Sequence, residues 1–274
     1  MTAATSLFPT DEAILAREGR PSLPQTVSDA LTITQRNLIR LTRNPELVVF
    51  ATIQPIIFVL MFRYVFGGAI TVPGESYVNY LMPGIWVQTV AFGAVTTAVG
   101  LAEDLQLGLI ERFRSLPMAR SAVLVGRTTA DFVRNVFVVL LMTVVGFLVG
   151  FRVETTFLGL LAALGVVLLF AYALSWVMAY VGLRVPNAET AQAAAFPFLA
   201  VFVFASAAFV PVETMPGWLQ AFAKHQPVTA VIDAARSLVL GGPTTANVLK
   251  ALAWTIGIIA VAAPLAVRRY RKVA

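Results

Sequence analysis

A chain of 274 residues in which 58% are hydrophobic and 12% charged has too little polar surface to coat a soluble globule, so the bilayer must be its main solvent. The absence of cysteine excludes a disulfide framework, thiolate metal centres and a cysteine nucleophile, and the sole histidine, His225, excludes a multi-histidine metal site. A net charge of +6 would suit nucleic acid in a soluble protein, but the basic residues here lie between apolar runs instead of along one surface, and no nucleic-acid partner is expected.

Residues 1–25 mix Asp11, Glu12, Arg17, Glu18 and Arg20 with Pro9, Pro21 and Pro24 and hold no apolar core of a targeting peptide, which predicts a flexible cytoplasmic tail. Over residues 26–43, Val27, Ala30, Leu31, Thr34, Leu38 and Leu41 fall on one helical face and Arg36, Arg40 and Arg43 on the opposite one, before Asn44-Pro45 breaks the pattern. This spacing predicts an amphipathic helix lying on the cytoplasmic leaflet with its arginines among anionic head groups. A solvated basic face is the alternative.

Residues 44–274 read as one transmembrane domain. A span needs about 20 apolar residues, because a helix rises about 1.5 Å per residue across a hydrocarbon core of about 30 Å. Six segments qualify, near residues 47–66, 81–102, 133–151, 157–183, 191–211 and 248–267. An even number places both termini on one side. Fifteen basic residues fall on that side and five on the other, so both termini are expected in the cytoplasm. Arg63, near the outer end of the first span, reads as an interface anchor.

Between the second and third spans, residues 103–130 form the most informative connection. Leu105, Leu109, Phe113 and Leu116 make a helical stripe, Glu103 and Asp104 are expected at the start of that helix and Arg112 and Arg114 near its end, matching the helix dipole, and Pro117 ends it. Gly126 allows another backbone to approach closely. On the outer side, residues 212–242 contain a short helix marked by Trp218, Leu219 and Phe222 and a second with helical spacing from Val228 to Val239, ended by Gly241-Gly242-Pro243.

Chemistry is scarce. The span interiors carry no acid, Asp131 at the entry of the third span being the nearest to an exception, which argues against a proton-coupled secondary carrier. Uphill transport then needs nucleotide, yet none of Lys224, Lys250 and Lys272 follows a glycine, so the chain has no Walker A motif and any ATPase is a separate subunit. No catalytic residue is assigned. A membrane-embedded enzyme of envelope lipid metabolism would have to use His225 with Asp233, eight residues on. Inside the spans Gln54, Gln88, Thr89 and Gln192 with Trp86 and Trp176 form a mildly polar, aromatic set that suits a large amphipathic solute or lipid. Interhelical packing is the alternative for any one of them. Pro55, Pro83 and Pro197 mark places where a span could bend.

The run from Leu107 to Arg120, containing Gly108, Glu111, Arg112, Arg114 and Pro117 and followed by Gly126-Arg127, resembles the signature of ABC-2 type permeases, in particular their daunorubicin and doxorubicin resistance branch. Pro216-Gly217-Trp218, His225-Gln226-Pro227, Ala235-Arg236 and Gly241-Gly242-Pro243 resemble that branch's outer segment. The resemblance implies an all-α permease of six transmembrane helices in the bacterial inner membrane, with an N-terminal interfacial helix, a cytoplasmic coupling helix and an outer helical pair. It also implies pairing with a second permease copy and with cytoplasmic ABC ATPase subunits that bind ATP and Mg, this chain binding no cofactor itself. Gly108, Glu111, Arg112, Arg114, Pro117, Arg120 and Arg127 would then form the ATPase-coupling element, Trp218, His225 and Arg236 the outer segment, and the cargo would be an amphipathic drug, antibiotic, lipid or envelope component.

Overall fold

The computed structural model describes residues 23–43, 45–70, 72, 74–109 and 120–273. Regular structure among them is helical: α1 (Leu23–Arg43), α2 (Pro45–Leu60) running into a π-helical turn (Met61–Phe66), α3 (Tyr77–Gln106), α4 (Arg120–Leu148), α5 (Phe157–Gly182), α6 (Ala188–Phe204), a 3-10 turn (Val212–Thr214), α7 (Gly217–His225), α8 (Pro227–Leu240) and α9 (Thr244–Val273). Helices α3, α4, α5 and α9 are long and apolar enough to cross a membrane, and α2 with its π turn and α6 are shorter apolar helices. The chain is an all-α, multi-pass membrane protein.

Helix α3 is the hub, packed against α2, α4, α5, α6 and α8. Its residues Leu81, Ile85, Trp86, Val87, Val90, Ala91, Ala94 and Ala98 are wholly buried. Lipid offers no hydrophobic incentive for helices to associate, so close packing must come from small side chains. A Cβ on Gly182 of α5 would lie 2.5 Å from the Ala98 carbonyl oxygen, so there the backbones of α3 and α5 touch. Helix α5 is the most hydrophobic of the four long helices, and Thr156 caps its start by accepting a hydrogen bond from Gly159 N at 3.1 Å. Helix α9 packs at the periphery, on α5 and α8.

Three findings amend the sequence expectations. Glu103 and Asp104 do not open a cytoplasmic helix: they lie in the last turn of α3, which runs on to Gln106 and stops where Gly108 takes φ of +66°. That left-handed conformation suits glycine and ends a helix. The fifth apolar stretch, expected to be helical to residue 211, stops at Phe204. The polypeptide from Ala205 to Pro211 is irregular, although its side chains are small or apolar, because donors from elsewhere satisfy it. Gln226 Nε2 donates to Phe202 O at 2.9 Å and Ala205 O at 2.7 Å. Tyr77 and Tyr80 donate from α3 to Phe209 O and Ala207 O, Arg236 donates to Ala207 O at 2.8 Å, and Ala207 N donates to Thr229 Oγ1. Non-helical backbone at such a place persists only when protein supplies its hydrogen bonds. Gly84 makes room for it, since a Cβ there would overlap the Ala208 carbonyl.

The third amendment concerns α1. Its contact with the bundle is made by the face holding Ala30, Ile33 and Thr34, which packs on α4 at Gly126. Thr34 Oγ1 donates to Gly126 O at 3.0 Å, and a Cβ on Gly126 would come within 2.7 Å of Ala30 O. Val27 and Leu31, which also belong to the apolar arc, stay exposed at 59% and 61%, so the arc is divided between the bundle and its surroundings.

Candidate functional site

A cavity of ≈ 400 Å³ opens between α2, α3, α4 and α6. Gln54 and Pro55 come from α2, Gln88, Thr89 and Phe92 from α3, Asn135 and Arg134 from α4, and Gln192 and Phe196 from α6. Gln54 and Gln192 are exposed at its mouth, whereas Gln88, Thr89 and Asn135 are buried in its depth. Phe92 and Phe196, stacked on each other with ring centroids 5.0 Å apart, form an aromatic patch on its wall. Trp86 and Trp176 lie elsewhere. Trp86 is wholly buried with its ring edge-on to Phe151 at 5.6 Å, and Trp176 packs edge-on to Tyr172 in a second cluster with Leu101, Leu124 and Leu183. Their indoles fill gaps between helices, as bulky apolar groups do in any close-packed interior.

Below the cavity, a polar seam joins α3 to α4. Gly93, Thr97, Gly100 and Asp104 recur at i, i+4, i+7 and i+11 on one face of α3, and Arg127, Asp131 and Arg134 at i, i+4 and i+7 on one face of α4. The helices run antiparallel, so the two rows meet rung by rung. Arg134 Nη2 donates to Gly93 O at 2.7 Å and Arg134 also bonds Thr96 Oγ1; Thr97 Oγ1 donates to Asp131 at 2.5 Å; Arg127 Nη1 donates to Asp104 at 2.8 Å. Arg134 and Asp131 pair at 3.4 Å. Glycine makes room at two rungs: a Cβ on Gly100 would overlap the Arg127 guanidinium as it is placed, and one on Gly93 would crowd Asn135 and Arg134 at 3.0 and 3.4 Å. Two cations and two anions balance, which is what permits their burial.

Asp131, expected at the entry of the third span, lies eleven residues inside α4, which begins ahead of that span, and its pairing with α3 was not foreseen. The signal was the shared face of Arg127, Asp131 and Arg134. The seam ends at Asp104, four residues before Gly108. Of the expected coupling residues, Arg120 begins α4 and Arg127 belongs to the seam, while Glu111, Arg112, Arg114 and Pro117 lie outside the described residues.

At the opposite end of α3, Arg236 stacks on the Tyr80 ring, 3.7 Å from its centroid, and donates to Tyr80 O and Ala207 O. Trp218 is 75% exposed on α7. His225 does not pair with Asp233: its Nδ1 bonds Ala221 O at 2.9 Å, and Asp233 accepts from Arg236 at 3.2 Å. Both border a cleft of ≈ 390 Å³ with Glu213, Lys224 and Lys250. Burial pushes the Asp233 carboxyl above the ordinary aspartate range, against the pull of Arg236 and Lys250. Among the described residues no group of three or more His, Asp and Glu could hold a metal ion.

The family model described as "ABC-2 type transporter" matches residues 29–240, which includes the cavity, the seam and helices α7 and α8. The chain belongs to the ABC-2 type transporter family. It is a membrane permease component of an ABC-type system and, as such, a non-catalytic subunit. The permease is 34% identical over 258 residues, 94% of its length and 91% of the relative's, to the "Daunorubicin resistance ABC transporter permease protein DrrB1" of Streptomyces coeruleorubidus. It is 31% identical over 244 residues, 88% of each chain, to the "Probable doxorubicin resistance ABC transporter permease protein DrrC" of Mycobacterium tuberculosis. A "Putative transport permease ycf38" of Cyanophora paradoxa is 23% identical over 216 residues, 77% of the permease and 74% of the relative.

Proposed function

We propose that the permease is the membrane half of a drug exporter in the bacterial inner membrane. Six spans cross the bilayer, with both termini on the cytoplasmic side; α2 with its π turn and α6 are two of the six. Two permease copies assemble with two copies of a cytoplasmic ATPase. The ATPase receives the segment from Gly108 to Pro117, with Glu111, Arg112 and Arg114 in charged contact and Arg120 and Arg127, further along the chain, completing the coupling element. Movement of that segment acts on the ends of α3 and α4. The two helices are bonded to each other along the seam, so they shift as a unit and change the shape of the cavity bordered by Arg134. An amphipathic solute occupies the cavity among Gln54, Gln88, Thr89 and Gln192.

One observation carries this reading: the seam runs from Asp104, beside the segment assigned to the ATPase, to Arg134, which lines the cavity. The test is the assembled complex. Arg112→Ala with Glu111→Ala is expected to lower substrate-stimulated ATPase activity while leaving the fold of the permease intact by circular dichroism. Unchanged stimulation together with unchanged co-purification of the ATPase would overturn the assignment of this segment.

A further inference from the structure

Helices α3, α5 and α9 finish at the same end of the bundle, and a cleft of ≈ 380 Å³ opens between their last turns. Leu105 and Gln106 line it from α3, Leu183 and Arg184 from the end of α5, and Arg269 from α9. Both guanidinium groups are held by uncharged partners. Arg269 Nε donates to Leu183 O at 3.1 Å, while Arg184 bonds the Tyr180 hydroxyl and lies 4.9 Å from the centroid of that ring. A guanidinium has five N–H donors, so capping α5 leaves most of those on Arg269 for something else. Among the described residues no carboxylate pairs with Arg184 or Arg269. Asp104 is committed to Arg127, and neither Glu103 nor Glu189 lines the cleft. Arg268, Arg271 and Lys272, all exposed and within a turn of Arg269, add to the uncompensated charge.

An apolar surface leads to these cations. Trp254, Ile258, Val261, Leu265 and Arg268 recur at i, i+4, i+7, i+11 and i+14, on one face of α9. Trp254, Val261 and Leu265 are 41%, 63% and 40% exposed. From Trp254 to Arg268 the face runs about 21 Å, more than half of a hydrocarbon core of about 30 Å. An acyl chain lying on it brings its head group to Arg268 and Arg269. There a phosphate meets two guanidinium forks already fixed in place, the geometry that binds phosphate best. A head group that also carries an ammonium places that cation among like charges.

We propose that this cleft binds the phosphate of an anionic glycerophospholipid, held as a resident lipid with an acyl chain along α9, and that Arg184 and Arg269 select it. The site is separate from the cavity bordered by Arg134 and does not depend on what that cavity carries.

The experiment uses the full chain, purified in non-ionic detergent with equal amounts of phosphatidylglycerol and phosphatidylcholine of the same acyl chains. The lipids retained are counted by native mass spectrometry. Wild type is expected to favour phosphatidylglycerol roughly tenfold, and to keep that preference through a wash in about 1 M salt, which screens exposed charges beyond about 3 Å. Arg184→Gln with Arg269→Gln should bring the ratio close to one, while Arg152→Gln, at the other end of α5, should leave it high. Because Arg269 caps α5, thermal unfolding is followed in parallel. If the double variant does not fold, Arg184→Gln alone decides, and an unchanged ratio in it overturns the proposal. Loss of the preference in salt, or an equal loss in Arg152→Gln, would reduce the effect to diffuse charge and also overturns it. Two other occupants are distinguishable. Displacement of the lipid by an equal amount of glycerol 3-phosphate, which has the phosphate and no chain, would make the cleft a site for a soluble phosphate. Loss of ATPase co-purification in Arg184→Gln with an unchanged lipid ratio would give these cations to the partner subunit. Either result overturns the lipid assignment.

Discussion

The guanidinium of Arg127 occupies space that exists because Gly100 has no side chain, and its partner Asp104 is 7% exposed. Removing one member of a buried ion pair leaves the other desolvated and costs about 3 to 5 kcal/mol, while replacing both by apolar groups of similar size is often neutral. Asp104→Leu or Arg127→Met alone is therefore expected to lower the melting temperature of the purified permease strongly. The double variant should recover most of the loss, and Gly100→Ala should resemble the single variants because its methyl expels the arginine. A double variant as unstable as the sum of the singles would show that the pair itself contributes little. Asp233 responds to pH in a definite direction. Burial raises its carboxyl above the unfolded value, so its stabilising contribution is complete below that unfolded value and is lost as pH rises through the folded one. Compared with Asp233→Asn, the wild type should be relatively most stable in acid and lose that advantage toward neutral pH. With the side chain 41% exposed the slope is modest. Lys250→Met removes a charge that lowers the Asp233 carboxyl, and should move the transition to higher pH.

Among the elements, α1 depends most on a single contact. Gly126 admits the α1 backbone, so Gly126→Val should push Ala30 and Ile33 off α4. Hydrogen exchange over residues 27–43 should then quicken while α5 keeps its protection; equal protection of α1 in the variant would mean that the leaflet and not α4 holds it. The existence of α1 and of the long helices was legible in the sequence, because amphipathic spacing and runs of about 20 apolar residues are local signals. The end of α6 was not. Ala205 to Val210 is as apolar as a helix interior, and what makes it irregular are the hydroxyls of Tyr77 and Tyr80 and the donors of Gln226 and Arg236, distant in sequence. The seam was half legible. Each row shows its own helical spacing, but each row alone reads as a polar face, and only the antiparallel register of α3 and α4 reveals that Thr97 meets Asp131. Trp86 and Trp176 were grouped with the cavity on residue type, which carries no information about the side of the helix on which a ring lies.

For the molecule as a whole, the number of crossings decides whether the cavity can sit at membrane depth. Helix α6 has 17 residues, about 26 Å, against a hydrocarbon core of about 30 Å. The irregular stretch after it, with its hydrogen bonds supplied by α3 and α8, can complete the passage without exposing peptide groups to lipid. Helix α2 gains its length from the π turn that continues it to Phe66. Six crossings make a pattern that five or four do not. The chain has no cysteine, so single substitutions can be labelled one at a time with a membrane-impermeant maleimide. In intact cells Ser76→Cys and Trp218→Cys are expected to react, and Ser28→Cys, Glu189→Cys and Arg268→Cys only after permeabilisation. If α2 stayed on one surface, Ser28 and Ser76 would react alike. If α6 did, Glu189 and Trp218 would. Either result would move one wall of the cavity out of the bilayer and with it the route by which an amphipathic solute enters between Gln54 and Gln192.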